Sequence, residues 1–127
     1  MRISEAEAQV MEAVWAAGPP GVAAIDLLAA VGPSNGWRET TVRTLVHRLI
    51  RKGALSASRG AGGGAVYGAL VSREAWVGEE TRGLVDRLFG GQVAALVAHV
   101  ARGRKASPED LARLRRLLAD LDAEEDD

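Results

Sequence analysis

Three runs of apolar residues at helical spacing fill the first 53 positions, and each stops at a glycine. In "ISEAEAQVMEAVWAAG" (residues 3–18), Val10, Met11, Val14 and Trp15 share one helical face. Ser4 followed three residues later by Glu7 is the reciprocal capping box that opens a helix. The run Gly18-Pro19-Pro20-Gly21 ends it. "VAAIDLLAAV" (residues 22–31) predicts a short second helix burying Ile25, Leu28 and Ala29, with residues 32–36, "GPSNG", as the turn that follows. A third helix spans Arg38 to Lys52 and stops at Gly53. Its Val42, Leu45, Val46, Leu49 and Ile50 fall on one side at about 100° per residue.

Beyond Gly53 the period changes. "ALSAS" and "AVYGALV" alternate in the manner of strands and are joined by "RGAGGG", so they predict a β-hairpin with a glycine-rich tip. From Ser72 the helical pattern returns. "REAWVGEETRGLVDRLF" is interrupted by Gly90-Gly91 and followed by "QVAALVAHVARG". The last segment, "SPEDLARLRRLLADLD", starts with Ser107 as cap, Pro108 at the first helical position and acids in the first turn. Leu111, Leu114, Leu117, Leu118 and Leu121 line one side of it. The acidic residues from there to Asp127 form a solvated end.

Three helices followed by a hairpin is the winged helix-turn-helix arrangement. The chain is thus expected to be mainly α: a winged-helix domain over residues 1–71, then a helical region over residues 72–127. A length of 127 residues suits one small domain with an appended element. Aliphatic side chains and alanine fill the core, because the aromatics are only Phe89, Tyr67 and three tryptophans. Without cysteine there is no disulfide, thiolate metal site or cysteine nucleophile, and this fits a reducing cytosol. His47 and His99 are the two histidines and do not form a metal-ligand cluster, so neither metal nor cofactor is expected. No window holds the roughly 18 apolar residues of a membrane span. The expectation is a soluble, cytoplasmic protein.

Charge is unevenly placed. The net is −1, yet from Trp37 to Arg59 six cations face Glu39 alone, a local excess of five. From Glu109 to the end, eight carboxylates outnumber three arginines by five. The basic block lies on the third helix, whose outer side carries Thr40, Arg43, Thr44, His47 and Arg51, with Arg48 at its edge. At 1.5 Å per residue this helix is roughly 22 Å long, enough to cross a DNA major groove about 12 Å wide.

Thr40, Thr41, Arg43, Thr44 and His47, in its N-terminal half and middle, suit base edges and thymine methyls. Arg48, Arg51 and Lys52 at the other end suit phosphates. Thr40 and Thr41 serve equally well as first-turn residues satisfying backbone amides. Trp37 reads as a core residue closing the turn rather than as a base-stacking group. No carboxylate pair, nucleophile-base set or phosphate-binding loop after a strand is present, so nothing points to an enzyme.

The quoted segments resemble the penicillinase repressor family, in "ISEAEAQVMEAVW", "GWRETTVRTLVHRLIRKGAL", "LVSREAW", "LVDRLFGGQVAALVAHV" and "SPEDLARLRRLLADLD". Together these cover nearly the whole chain. The resemblance implies a homodimeric repressor that binds a palindromic double-stranded DNA operator, with the C-terminal helices as dimer interface. The apolar positions Leu84, Leu88, Phe89, Val93, Leu96, Val97, Val100, Leu114 and Leu118 agree with that assignment.

In antibiotic-responsive members a membrane sensor triggers proteolysis at an asparagine-phenylalanine bond. His99 and Val100 stand at the equivalent positions here. In copper-responsive members a C-terminal cysteine motif binds metal, which this chain lacks. Arg38 replaces the serine that often starts the family's recognition helix, and the wing carries a single cation, Arg59. A winged-helix module that docks proteins and no longer binds DNA specifically is the competing expectation.

Overall fold

The computed structural model describes residues 1–103 and 106–125. Its elements run α1 (Glu5–Ala17), β1 (Val22–Ala23), α2 (Ala24–Asn35), α3 (Glu39–Lys52), β2 (Leu55–Arg59), β3 (Ala65–Ala69), α4 (Arg73–Phe89), α5 (Val93–Gly103) and α6 (Pro108–Glu125). They form two compact units, Met1–Glu79 and Glu80–Asp127.

In the first unit, α1, α2 and α3 surround a core of aliphatic residues. Val10, Met11 and Val14 from α1 meet Leu27 and Val31 from α2 and Val42, Leu45, Val46 and Leu49 from α3. Ala54 and Leu55 close the core where α3 gives way to β2. The capping box at the start of α1 is complete: Ser4 Oγ accepts from the Glu7 amide at 3.1 Å, and Glu7 Oε1 accepts from the Ser4 amide at 2.9 Å.

Both helices of the helix-turn-helix end in the same motif. Gly36 and Gly53 adopt left-handed φ values of 68° and 82°. The next amides, of Trp37 and Ala54, reach back to the carbonyls of Gly32 and Leu49 at 2.9 Å. The glycine allows the turn, and the following residue, half-buried Trp37 or buried Ala54, packs on the core.

The second helix departs from expectation in two ways. It continues through Pro33 to Asn35, where the sequence pattern placed a turn. Pro33 cannot donate to a preceding carbonyl, but Asn35 Nδ2 and Ser34 Oγ bond the Val31 and Ala30 carbonyls at 2.8 and 3.3 Å. Its buried residues are Leu27 and Val31, with Leu28 partly buried, whereas Ile25 is 77% exposed. Nearly every position here is apolar, so periodicity alone does not choose the face.

The sheet contains a strand that the sequence pattern hid inside the second helix. Val22 and Ala23 pair with Tyr67 and Val66, giving the antiparallel order β1-β3-β2. The hairpin pairs Leu55 with Ala69 through to Arg59 with Ala65, and residues 60–64 form the tip. Gly21 makes β1 possible: its φ is 136°, and a Cβ there would collide with the Tyr67 carbonyl.

The first turns of α4 belong to this unit. Trp76 lies against Trp15 with ring centroids 5.6 Å apart, and Arg73 Nε bonds both Glu12 carboxylate oxygens at 2.9 and 3.2 Å. The units therefore divide within α4, eight residues past the 71/72 boundary read from the sequence.

One ion pair ties α1 to the end of α3. Lys52 Nζ donates to Glu7 Oε1 at 2.6 Å and to the Arg2 carbonyl at 2.8 Å. Glu7 is only 2% exposed and is the one buried charged residue among those described. Burial pushes its carboxyl up, but the Lys52 ammonium and the hydrogen bonds from Ser4 outweigh this and hold it below the ordinary 4.5.

In the second unit, α5 and α6 are amphipathic. Ser107 Oγ accepts the Asp110 amide at 3.1 Å and so caps α6. Helix α6 extends to Glu125; Asp126 and Asp127, at the expected solvated end, lie outside the described residues. No single helix among the described residues is long and apolar enough to cross a membrane.

Gly21→Ala is expected to destabilise the protein by more than about 1 kcal/mol, because the left-handed φ and the Tyr67 carbonyl both oppose a side chain; urea denaturation measures it. Lys52→Met should cost about 2 kcal/mol near neutral pH, less than a fully buried pair because Lys52 is partly solvated. Glu7's folded pKa is depressed, so its contribution is present above about 4.5 and is lost as pH falls through the lower folded value. The gap between Lys52→Met and wild type should therefore narrow as pH falls below the ordinary carboxylate range and through the lowered folded value. A gap independent of pH would contradict this account of the pair.

Candidate nucleic-acid interface

Helix α3 is held from one side only. Its four buried aliphatic residues contribute about 1.5–3 kcal/mol each. By comparison, its N-terminus has no side-chain cap, since Arg38 occupies the cap position in extended conformation without bonding an amide. A missing cap costs about 1 kcal/mol, so packing rather than capping fixes this helix. Glu39 in the first turn and Arg51 and Lys52 in the last complement the helix dipole.

Thr40, Thr41, Arg43, Thr44, His47, Arg48 and Arg51 are all exposed, as is Arg38. Ile50, assigned to the apolar side by its spacing, stands at the edge with 36% exposure. The Thr44 hydroxyl donates to the Thr40 carbonyl at 2.9 Å, which leaves its oxygen lone pairs and methyl for a partner. Arg43 bonds Glu39 at 2.8 Å one turn away. This pair is exposed and worth about 0.3–0.5 kcal/mol, so a competing anion or base edge displaces it easily. Its i, i+4 spacing was legible in the sequence. Arg48 and Arg51 form no ion pair among the described residues.

Lys52 differs from its assignment as a phosphate clamp. Its ammonium is occupied by Glu7 and the Arg2 carbonyl, so it serves as a tether between elements. No local pattern exposes this, because Glu7 lies 45 residues earlier in the chain.

On one flank of α3 lies a shallow depression lined by Ile25, Leu28, Arg43 and Tyr67 among others, bringing α2 and β3 beside the Glu39–Arg43 pair. Ile25 was expected in the core and is instead the exposed apolar group next to Arg43. Arg59 ends β2 next to the tip of the wing, opposite Ala65, and is exposed. The tip beyond it carries no charge.

The second unit offers a different chemistry. Leu88, Val93, Val97, Val100 and Leu118 are exposed, between 38% and 63%, while Leu84, Phe89, Leu96 and Leu114 are half-buried. Leu111, Leu117 and Leu121 extend the exposed apolar side of α6. An open apolar groove runs between α5 and α6, lined by Leu96, Val97, Val100, Leu114 and Leu117, with Asp110 and Arg113 beside them. His99 is exposed and its ring lies 6.0 Å from that of Phe89.

The chain is 29% identical over 116 residues to a 16.5 kDa protein of Latilactobacillus sakei, covering 91% of this chain and 77% of that one. It is 23% identical to the penicillinase repressor of Bacillus licheniformis, over 92% of this chain and 89% of the relative. Among solved structures it is similar to MepR, a transcription regulator of the Staphylococcus aureus multidrug efflux pump MepA. That match has a TM-score of 0.52 at 16% identity and covers 96% of this chain and 79% of MepR. Residues 3–120 match the penicillinase repressor family model, so the chain belongs to that family and is a winged-helix transcription regulator rather than an enzyme.

Proposed function

We propose that the protein represses transcription as a homodimer that places α3 of each copy in the major groove of a palindromic operator. The observation that carries this reading is the two-sided character of α3: four buried aliphatics anchor it, and an unbroken row of threonine, histidine and arginine faces solvent. Thr40, Arg43, Thr44 and His47 are the candidate readers of base edges, with Thr41 beside them, and Arg48 and Arg51 contact phosphates. Arg38 and Arg59 add phosphate contacts at the start of α3 and at the wing. Dimerisation is supported by the exposed apolar side of α5 and α6, which one chain leaves in water. Half-sites then lie about 34–36 Å apart or at a multiple of that spacing.

The charge-poor wing favours one competing reading, a winged-helix module that docks proteins without binding DNA specifically. Footprinting on the DNA upstream of the protein's own gene distinguishes them. A protected palindrome is expected, and its absence across neighbouring promoters would favour the docking module. The asparagine-phenylalanine pair is replaced by His99 and Val100, which argues against that cleavage route as the means of relieving repression here.

Arg43→Ala should weaken binding to the specific site more than to mixed-sequence DNA, whereas Arg51→Ala should weaken both about equally; gel shifts at fixed salt test this. Equal losses for the two variants would refute the division of roles. Leu96→Asp is expected to yield a monomer with reduced operator affinity, because it buries an unpartnered charge in the dimer interface. Sedimentation velocity reports the state, and an intact dimer would place the interface elsewhere.

A further inference from the structure

The Lys52 tether has a second end. Besides Glu7, Lys52 Nζ holds the main-chain carbonyl of Arg2, and the next residue, Ile3, is 7% exposed within the core of the first unit. Ser4 then caps α1. The backbone of Arg2 is thereby fixed at the C-terminal end of α3 by a charge-assisted hydrogen bond on one side and a buried isoleucine on the other. Its side chain has no such duty. It is exposed and makes no ion pair or hydrogen bond among the described residues. The fold uses only the carbonyl of this residue, which any amino acid supplies.

The setting is cationic. Arg51 directly precedes Lys52, and Arg48 lies one turn earlier on the same flank of the helix. Of the positive side chains on α3, Arg43 is neutralised by Glu39 and Lys52 by Glu7, while Arg48 and Arg51 have no ion-pair partner among the described residues. A third unpaired guanidinium carried on a fixed backbone at that end enlarges the free positive charge there by half. The C-terminal end of a groove-bound helix meets sugar-phosphate backbone rather than base edges.

We infer that Arg2 contacts DNA phosphate, presented beside Arg48 and Arg51 by the Lys52–Glu7 tether. The inference rests on the DNA-binding reading above and deepens it by one residue from outside the helix-turn-helix. Lys52 contributes to DNA affinity indirectly, by placing Arg2, and does not itself contact phosphate.

The test is the salt dependence of binding of the full chain to a mixed-sequence DNA duplex and to the upstream DNA. Each phosphate contact adds about −0.9 to the slope of log affinity against log salt. Arg2→Ala should make the slope shallower by about that amount on both duplexes, with unchanged melting temperature, while Arg2→Lys keeps the wild-type slope. Wild-type slope and affinity in Arg2→Ala would overturn the inference and leave the DNA-binding reading intact. A shallower slope accompanied by a lower melting temperature would also overturn it, since Arg2 would then act through folding. No salt-dependent binding by the wild type to either duplex would overturn both.

Discussion

Everything this protein offers to a partner in its first unit depends on holding α3 by one side. A helix of fourteen residues that buries Val42, Leu45, Val46 and Leu49 has its rotation about its own axis set by the core, and its opposite side turned to water. The burial is several times the cost of the uncapped N-terminus, so a cap is dispensable where Arg38 stands. The other elements serve this placement. α1 and α2 supply the facing aliphatics, and the two left-handed glycines let the chain turn sharply enough to keep Trp37 and Ala54 on the core.

Electrostatics then refines what packing has placed. The local excess of positive charge on and after α3 reads as a uniform block in the sequence, but the folded chain divides it into three kinds of cation. Arg43 is held loosely by an exposed neighbour, Lys52 is committed to a buried carboxylate, and Arg48 and Arg51 have no ion-pair partner among the described residues. The difference between the first two follows from burial. A carboxylate at the surface gains little from an ammonium, whereas Glu7 at 2% exposure needs one. The pair also joins α1 to the last residue of α3, the point from which β2 and the wing depart.

Local signals in the sequence marked most elements closely. The capping box at Ser4 and Glu7, the Ser107 cap and the stops at Gly53 and Gly90 each rest on contacts within a few residues, and the hairpin pairs segments no more than fourteen positions apart. They survive folding unchanged. Helix α2 and β1 were harder to read. "VAAIDLLAAV" is apolar at nearly every position, so its phase is undetermined, and two of its residues become a strand only because β3, more than 40 residues later, pairs with them.

The sequence by itself determined the order of the helices and the hairpin, the apolar side of α3 and the family, because these depend on periodicity, caps and motif order along the chain. Only the tertiary structure decided that Leu27 and Val31 face the core while Ile25 stands beside Arg43. It alone showed that Val22 and Ala23 form a strand and that Lys52 turns from solvent to Glu7. The physical reason is common to all three. Each outcome is a choice between local arrangements of similar energy, settled by a partner distant in sequence whose position is fixed only when the core closes.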